Sequence, residues 1–368
     1  MMNKDGAGVL VDRFGRVHRD LRISLTDRCS LRCTYCMPAD GVPWLARSTM
    51  LSTDEIVHVA RVGVDLGITE IRLTGGEPLL RVDIVDVVRR LTALHGPSGS
   101  PEVSLTTNAL RLPGLASQLK DAGLSRVNIS LDTLDRQKFL QLTRRDKLVE
   151  TLAGIAAADA AGLHPVKINA VAMRGVNDDE VVALTRFAVD HGYQMRFIEQ
   201  MPLDGGHTWD RTEMVTQAEI LAQLTSAFTL TEVPGRGAAP AELWTVDGGP
   251  ATVGVIASVT APFCGACDRL RLTADGQLRA CLFSQTETDV RELLRGTPPP
   301  EGAAIGVGPS QAVRIGTVAP PRAAPAPADV DEALAEAFRR CLAGKKAGHD
   351  IGDPTFHQPD RPMSAIGG

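Results

Sequence analysis

Six times between Leu21 and about Gln200 a short β-rich run gives way to an amphipathic helical stretch, and this alternation constrains the fold most. Strands separated by helix-length connections cannot pair as hairpins, so each connection crosses over and leaves its two strands parallel. The β-rich runs are Leu21–Leu25, Glu70–Leu73, Glu102–Thr107, Arg126–Leu131, Val166–Ala172 and Gln194–Ile198. Ser52-Thr-Asp-Glu55 reads as a capping box that starts the first helix, and Asn177 followed by Glu180 is a close variant further on.

Six βα units in series predict a parallel sheet, either doubly wound or curled into part of a barrel. The polar residues favour the barrel. Asn128, Ser130 and Asp132 share one strand face, as do Ser104, Thr106 and Asn108, and Lys167 with Asn169. A sheet covered by helices on both faces is apolar on both, so a polar face implies a lumen that holds a ligand. The unusual loops all follow strand ends: Thr26-Asp-Arg-Cys29, Thr74-Gly-Gly-Glu77, Ser130-Leu-Asp132 and Glu199-Gln-Met201. Barrel ligands bind at that edge. The expected fold is therefore α/β, a partial (βα)6 barrel over residues 10–205.

Beyond about Asp204 the rhythm changes. A second capping box, Thr216 to Glu219, opens a helix, and β segments follow near Glu242–Val246 and Ala251–Val255. A hairpin turning at Ala274-Asp-Gly-Gln277 joins Arg269–Thr273 to Leu278–Ala280. Residues 206–295 are expected to form a smaller C-terminal region. The stretch 296–327 is rich in Pro, Ala and Gly without periodicity and reads as a disordered insert. Residues 328–368 complete the chain with a helix near Val330–Leu342 and a Gly-Gly tail. Leu334, Ala337, Phe338, Cys341 and Leu342 fall on one helix face, which makes Cys341 a core residue.

The other six of the seven cysteines form two triplets, Cys29/Cys33/Cys36 and Cys264/Cys267/Cys281. The odd count and the chain length argue against a disulfide framework. Met1 to Asp20 lacks the apolar core of a secretory signal, and no apolar run approaches the roughly 18 residues of a membrane span, so a cytoplasmic location is expected without membrane attachment. The net charge of −5 argues against broad nucleic-acid binding. An anionic ligand must then be held by a local basic cluster.

Structural zinc wants four ligands and a four-iron cluster normally takes four cysteines. Three cysteines leave one iron open to another molecule. For the second triplet a zinc site completed by a distant His stays open as a rival. Immediately after Cys267, alternation puts Arg269 and Arg271 on one strand face. Arginine binds phosphate oxygens bidentately. Arg22, Arg72, Lys167 and Arg196 project from barrel strands, where an unpaired charge is costly and a polyanion would pair several.

Cys-Ser-Leu-Arg-Cys-Thr-Tyr-Cys36, followed one helix later by Thr-Gly-Gly-Glu-Pro78, resembles the signature of the radical S-adenosylmethionine (SAM) superfamily. Leu-Arg-Ile-Ser-Leu-Thr-Asp-Arg-Cys29, Tyr-Cys-Met-Pro38, Ile-Arg-Leu-Thr-Gly-Gly-Glu-Pro78, Val-Asn-Ile-Ser-Leu-Asp132, Met-Arg-Phe-Ile-Glu199 and Phe-Cys-Gly-Ala-Cys-Asp-Arg-Leu-Arg271 are similar, in order, to blocks of its GTP-cyclising family, which begins molybdenum cofactor biosynthesis. The match runs from about residue 10 to 295 and resumes at the C-terminal helix. It implies a 4Fe-4S cluster on each triplet, the first binding SAM and the second meeting the guanine of GTP. It also implies SAM contacts from Tyr35, Gly76, Ser130 and Met201. GTP contacts follow from Arg22, Arg72, Thr106, Lys167, Arg269 and Arg271, with support from Arg196, Gly367 and Gly368. The implied reaction abstracts the ribose 3′ hydrogen of GTP and joins C3′ to C8. The implied partners are GTP, an external low-potential electron donor and a downstream cyclic pyranopterin monophosphate synthase. The resemblance leaves room for a homodimer.

Two departures stand out: Ser30 replaces the Asn usual after the first cysteine, and the 296–327 insert is long. The rival readings are a peptide-modifying radical SAM enzyme with auxiliary clusters and a zinc-stabilised binding module.

Overall fold

The structure is a computed structural model and describes residues 8–296, 327–354 and 356–367. The barrel elements follow in chain order. They are β1 (Asp20–Ser24), α1 (Thr53–Asp65), β2 (Glu70–Thr74), α2 (Ile84–Thr92), β3 (Glu102–Thr107), α3 (Leu112–Asp121), β4 (Arg126–Ser130), α4 (Arg136–Thr143), α5 (Leu148–Ala160), β5 (Lys167–Ala172), α6 (Val181–Asp190), β6 (Gln194–Glu199) and α7 (Gln217–Thr225). Then come β7 (Leu230–Val233), β8 (Glu242–Val246), β9 (Thr252–Ile256), β10 (Arg269–Leu272), β11 (Gln277–Arg279), β12 (Thr288–Asp289), α8 (Arg291–Arg295), α9 (Pro327–Ala343) and α10 (Met363–Ile366).

All the strands join one sheet in the order β12-β11-β10-β1-β2-β3-β4-β5-β6-β9-β8-β7. The six βα strands are parallel, and the later segment adds a parallel neighbour at each end: β10 on β1 and β9 on β6. Antiparallel β11 and β8 follow outside them. The strands thus form an open α/β barrel wall. On the outside α9 packs on α1, α1 on α2, α2 on α3, and α3 on α5. Leu21, Ile23, Ile71, Leu73, Val103, Leu105, Val127, Ile129, Ile168 and Phe197 are buried against this layer.

Both capping boxes form. The Ser52 side chain accepts from the Glu55 N–H while Glu55 accepts from the Ser52 N–H, and Thr216 and Glu219 do the same. Each such cap contributes about 1 kcal/mol. Asn177 behaves differently. Its amide donates to the carbonyls of Asp132 (2.8 Å) and Val171 (2.9 Å) and accepts from the Met173 N–H (2.8 Å), and α6 begins only at Val181. Satisfying strand-end backbone groups outweighs capping here. Cys341 is buried in the core beside Phe338 and Leu342. The expected insert, apart from its end residues, lies outside the described residues, as does Gly368. Among the described residues no helix is long and apolar enough to cross a membrane.

Candidate functional site

Alternation along each strand sends the polar residues to the face opposite the helical layer. The register then fixes their neighbours. Arg22 lies between Arg72 and Arg271, Arg72 beside Ser104, Asn128 between Thr106 and Lys167, and Asn169 between Ser130 and Arg196.

The loop after β1 carries the first triplet. Its turns are pinned from two sides. The Cys36 N–H donates to the Cys33 carbonyl (3.0 Å), while Arg32 and Thr34 N–H groups donate to Thr143 and Leu142 carbonyls, both at 2.9 Å. Arg144 adds a guanidinium bond to the Arg32 carbonyl at 2.7 Å. On the other side the Gly76 N–H donates to the Thr26 carbonyl and the Glu77 N–H to the Arg28 carbonyl, both at 2.7 Å. A Cβ at Gly76 would stand 2.4 Å from the Arg28 carbonyl oxygen, so only glycine lets the two loops approach.

A cavity of about 190 Å³ lies between them, lined by the first triplet, Tyr35, Gly76, Thr106, Ser130, Asp132 and Asn169 among others. Three expected SAM contacts, Tyr35, Gly76 and Ser130, thus meet the triplet. Thr106, expected at GTP, lines the same cavity, whereas Met201 lines the cavity of the second triplet. The Tyr35 hydroxyl donates to Asp132 at 2.8 Å, a side-chain role that the sequence alone did not reveal. Asn108 was missed too. Its amide donates to Ser30 Oγ (3.0 Å) and approaches Cys29 Sγ (3.8 Å), so the unusual Ser30 supports a group beside a ligand.

Burial pushes the thiols of Cys29 to about 11 and Cys36 to about 12, and raises Cys33 as well. It also lifts Glu77 to about 7 and Asp132 to about 6 despite their hydrogen bonds. These thiols converge on one cavity, with the acids Glu77 and Asp132 raising Cys29 and Cys33 and Arg32 acting against them only at Cys29. That donor set fits an iron cluster, whose positive irons would hold all three as thiolates.

The second triplet borders a smaller cavity, about 70 Å³, lined also by Met201, Phe263, Arg269, Arg271 and His349. Its electrostatics are reversed. Burial raises Cys264 to about 11, whereas at Cys267 the effect of burial is outweighed by Lys345 and Arg269, which hold the thiol below its ordinary value. Among the described residues no three Cys, His, Asp or Glu side chains sit close enough to share one metal ion. A four-iron cube spreads its thiolates over separate corners and does not demand that closeness.

A basic face runs along the strands, with Arg271, Arg22 and Arg72 side by side on β10, β1 and β2, and Lys167 and Arg196 on β5 and β6. Asp20 pairs with Arg22 (3.7 Å) and Arg269 (3.6 Å). Arg72, Lys167, Arg196 and Arg271 have no ion pair among the described residues. Burial and the neighbouring cations depress these groups: Lys167 to about 7, Arg22 and Arg271 to about 9, and Arg196 to about 10. For arginine such a shift signals electrostatic stress, not loss of the proton. Polar atoms without a hydrogen-bond partner lie on this face as well, among them the Oδ1 atoms of Asn128 and Asn169. Arg126 joins the row beside Glu70 (3.6 Å) and Glu102, and was not anticipated as a site residue.

The tail enters this face. Ser364 and Ile366 are buried, and the Gly367 carbonyl accepts from Arg271. Gly367 has φ +84°, and a Cβ there would lie 2.5 Å from Thr74 Oγ1.

The Radical SAM superfamily matches residues 23–188, and the family described as Molybdenum Cofactor Synthesis C matches residues 193–305. The GTP 3′,8-cyclase of Streptomyces coelicolor is 53% identical, with 100% of this chain and 98% of that protein covered. Its counterpart in Corynebacterium glutamicum is 50% identical, covering 99% and 90%. Mycobacterium tuberculosis GTP 3′,8-cyclase 2 is also 50% identical, covering 98% and 92%. A crystal structure of Streptococcus suis SuiB bound to precursor peptide SuiA shares the fold at 14% identity with a TM-score of 0.58, over 76% of this chain and 64%, just under two thirds, of that one. On full-length identity of this order, this chain belongs to the GTP 3′,8-cyclase family of the radical SAM superfamily.

Proposed function

We propose that this chain converts GTP to (8S)-3′,8-cyclo-7,8-dihydroguanosine 5′-triphosphate, the first step of molybdenum cofactor biosynthesis, with SAM as the radical source. The observation that carries the reading is the set of cations without ion pairs on the strands' polar face, the buried Arg196 and Arg271 with the half-buried Arg72 and Lys167, in a chain that also presents two thiol triplets. A triphosphate satisfies such a set; a peptide does not. The likeness to SuiB, at 14% identity, carries the fold and leaves the substrate open.

Cys29, Cys33 and Cys36 would hold one 4Fe-4S cluster and Cys264, Cys267 and Cys281 a second. When bound, the first cluster and SAM supply a 5′-deoxyadenosyl radical that removes hydrogen from the ribose. The chain's own work is positioning. Gly76, Ser130, Tyr35 and Met201 would seat SAM. Arg22, Arg72, Lys167, Arg269 and Arg271, with Arg196 and Thr106 beside them, would hold GTP so that C3′ and C8 are close enough to join. Gly367 and Gly368 would help position GTP for hydrogen abstraction. A low-potential electron donor would feed the first cluster, a downstream cyclic pyranopterin monophosphate synthase would take the product, and a homodimer in the cytoplasm fits the same reading.

The test is anaerobic incubation of the reconstituted chain with GTP, SAM and dithionite. The expected result is the cyclic triphosphate with stoichiometric 5′-deoxyadenosine, and about eight irons per chain for two four-iron clusters. SAM cleavage unaffected by GTP, with no nucleotide product, would sink the assignment.

A further inference from the structure

The segment just beyond α9, residues 344–350, crosses the back of the second triplet and touches two of its three cysteines. The His349 N–H faces the Cys264 thiol, and its ring bonds the Ser258 carbonyl at 2.6 Å. Arg16 ties the segment down, donating to the carbonyls of Lys346 (2.8 Å), Ala347 (3.3 Å) and Cys264 (2.6 Å). Asp12 fixes Arg16 in turn at 2.6 Å.

Lys345 is the group that stands out. Its side chain is buried, with the residue 3% exposed, yet no carboxylate pairs with it among the described residues. The ammonium donates to the carbonyls of Arg269 (2.7 Å) and Ala280 (2.8 Å), and its third direction reaches Cys267 Sγ at 3.8 Å. A buried cation without an anionic partner is strongly disfavoured. Here the anion within reach is the thiolate of a cluster ligand. Lys345 is not part of the wall that Arg269 and Arg271 present to the cavity. It approaches the sulfur through the gap between β10 and the end of β11.

We propose that Lys345 is a positioning residue for the second cluster, setting its reduction potential through a buried charge held 3.8 Å from the Cys267 sulfur. A positive group held against a ligand sulfur favours the more negative, reduced cluster, so it raises the potential. The inference rests on the proposed second cluster and goes beyond it, since no other assigned residue acts on that cluster without facing substrate.

The experiment uses the full-length chain with Cys29, Cys33 and Cys36 replaced by Ser, so that only the second cluster reports. Lys345 is compared with Lys345→Met and Lys345→Arg by iron content and by redox titration followed by electron paramagnetic resonance. Lys345→Met is expected to keep the cluster at a lower midpoint potential, with Lys345→Arg recovering most of the shift. Loss of the cluster from the Met variant and its retention in the Arg variant supports the inference equally. An unchanged midpoint in the Met variant, even with a lower melting temperature, reduces Lys345 to a clamp between strands and overturns it. So does cluster loss in both variants. A reference chain that binds no iron at all overturns the two-cluster reading itself, and this inference with it.

Discussion

The two thiol sites each offer three cysteines, in contrasting surroundings. Around the first, the buried acids Glu77 and Asp132 line the cavity, Arg32 is bonded to the Cys29 carbonyl, and the rest of the wall is largely backbone and neutral groups. Around the second, Lys345, Arg269 and Arg271 gather. The first environment suits a ligand that brings its own positive sulfonium and is gripped by strand-edge backbone. The second suits a polyanion. On the proposed function, the field around otherwise similar cysteines would separate radical generation from substrate capture.

The sharpest way to break this comparison is to remove each triplet. Replacing Cys29, Cys33 or Cys36 with Ser is expected to abolish SAM cleavage, measured as 5′-deoxyadenosine release. The same change at Cys264, Cys267 or Cys281 should stop cyclisation while some uncoupled cleavage persists. Equal loss from both sets would show that the sites do not divide the work.

A smaller effect is expected at the arginines. Arg269→Ala and Arg271→Ala should each weaken GTP binding about ten- to hundredfold, the value of a charge-assisted phosphate contact of roughly 1.5–3 kcal/mol. Binding titrations with GTP and SAM separately would check this, because SAM affinity should hold. If SAM binding fell in parallel, the field would be shared and the contrast between the sites lost.

Much of this was legible before any coordinates. The capping boxes at Ser52 and Thr216 and the six β-rich runs marked the barrel because local hydrogen bonding and periodicity encode them directly. Cysteine spacing within eight residues did the same for the first triplet. Local pattern could not carry long-range partners. Lys345 lies 78 residues from Cys267, beyond an insert, and nothing in its own neighbourhood marks it. Tyr35 and Asp132 are 97 apart, so a motif that names Tyr35 for its backbone cannot reveal where its hydroxyl goes. Asn177 misled because capping chemistry and strand-end chemistry draw on the same amide.

The tail offers a subtler probe of the cationic side. Gly367→Ala places a methyl against Thr74 Oγ1, at a positive φ that costs an L-residue of order 1–3 kcal/mol. The tail would have to move, and Arg271 would lose the carbonyl it now holds. Cyclisation is expected to fall roughly five- to thirtyfold, with iron content and SAM binding unchanged. Full turnover by this variant would make the tail a bystander to the GTP side.

The smallest expected effect, and the most specific to a polyanion, is on pH. Burial, then Arg196, Arg126 and Arg72, hold Lys167 down at about 7 in the free chain, well below the ordinary lysine value. Between those two values the unfolded chain carries the proton and the folded one does not, so this group makes stability rise with pH across that window. A bound triphosphate reverses the balance by pairing with the ammonium and drawing its proton affinity back up. GTP binding should therefore take up a fraction of a proton above pH 7 that grows as pH rises, and affinity should fall by at most about tenfold per pH unit. Calorimetry in two buffers of different ionisation heat measures that uptake directly. The γ-phosphate titrates near neutrality on its own account, so the comparison is with Lys167→Met, in which only the lysine contribution disappears. SAM binding, on the side of the molecule where the buried groups are acids, should show no such dependence on Lys167. If wild type and Lys167→Met take up protons equally with GTP, the buried cations are not what receives the triphosphate.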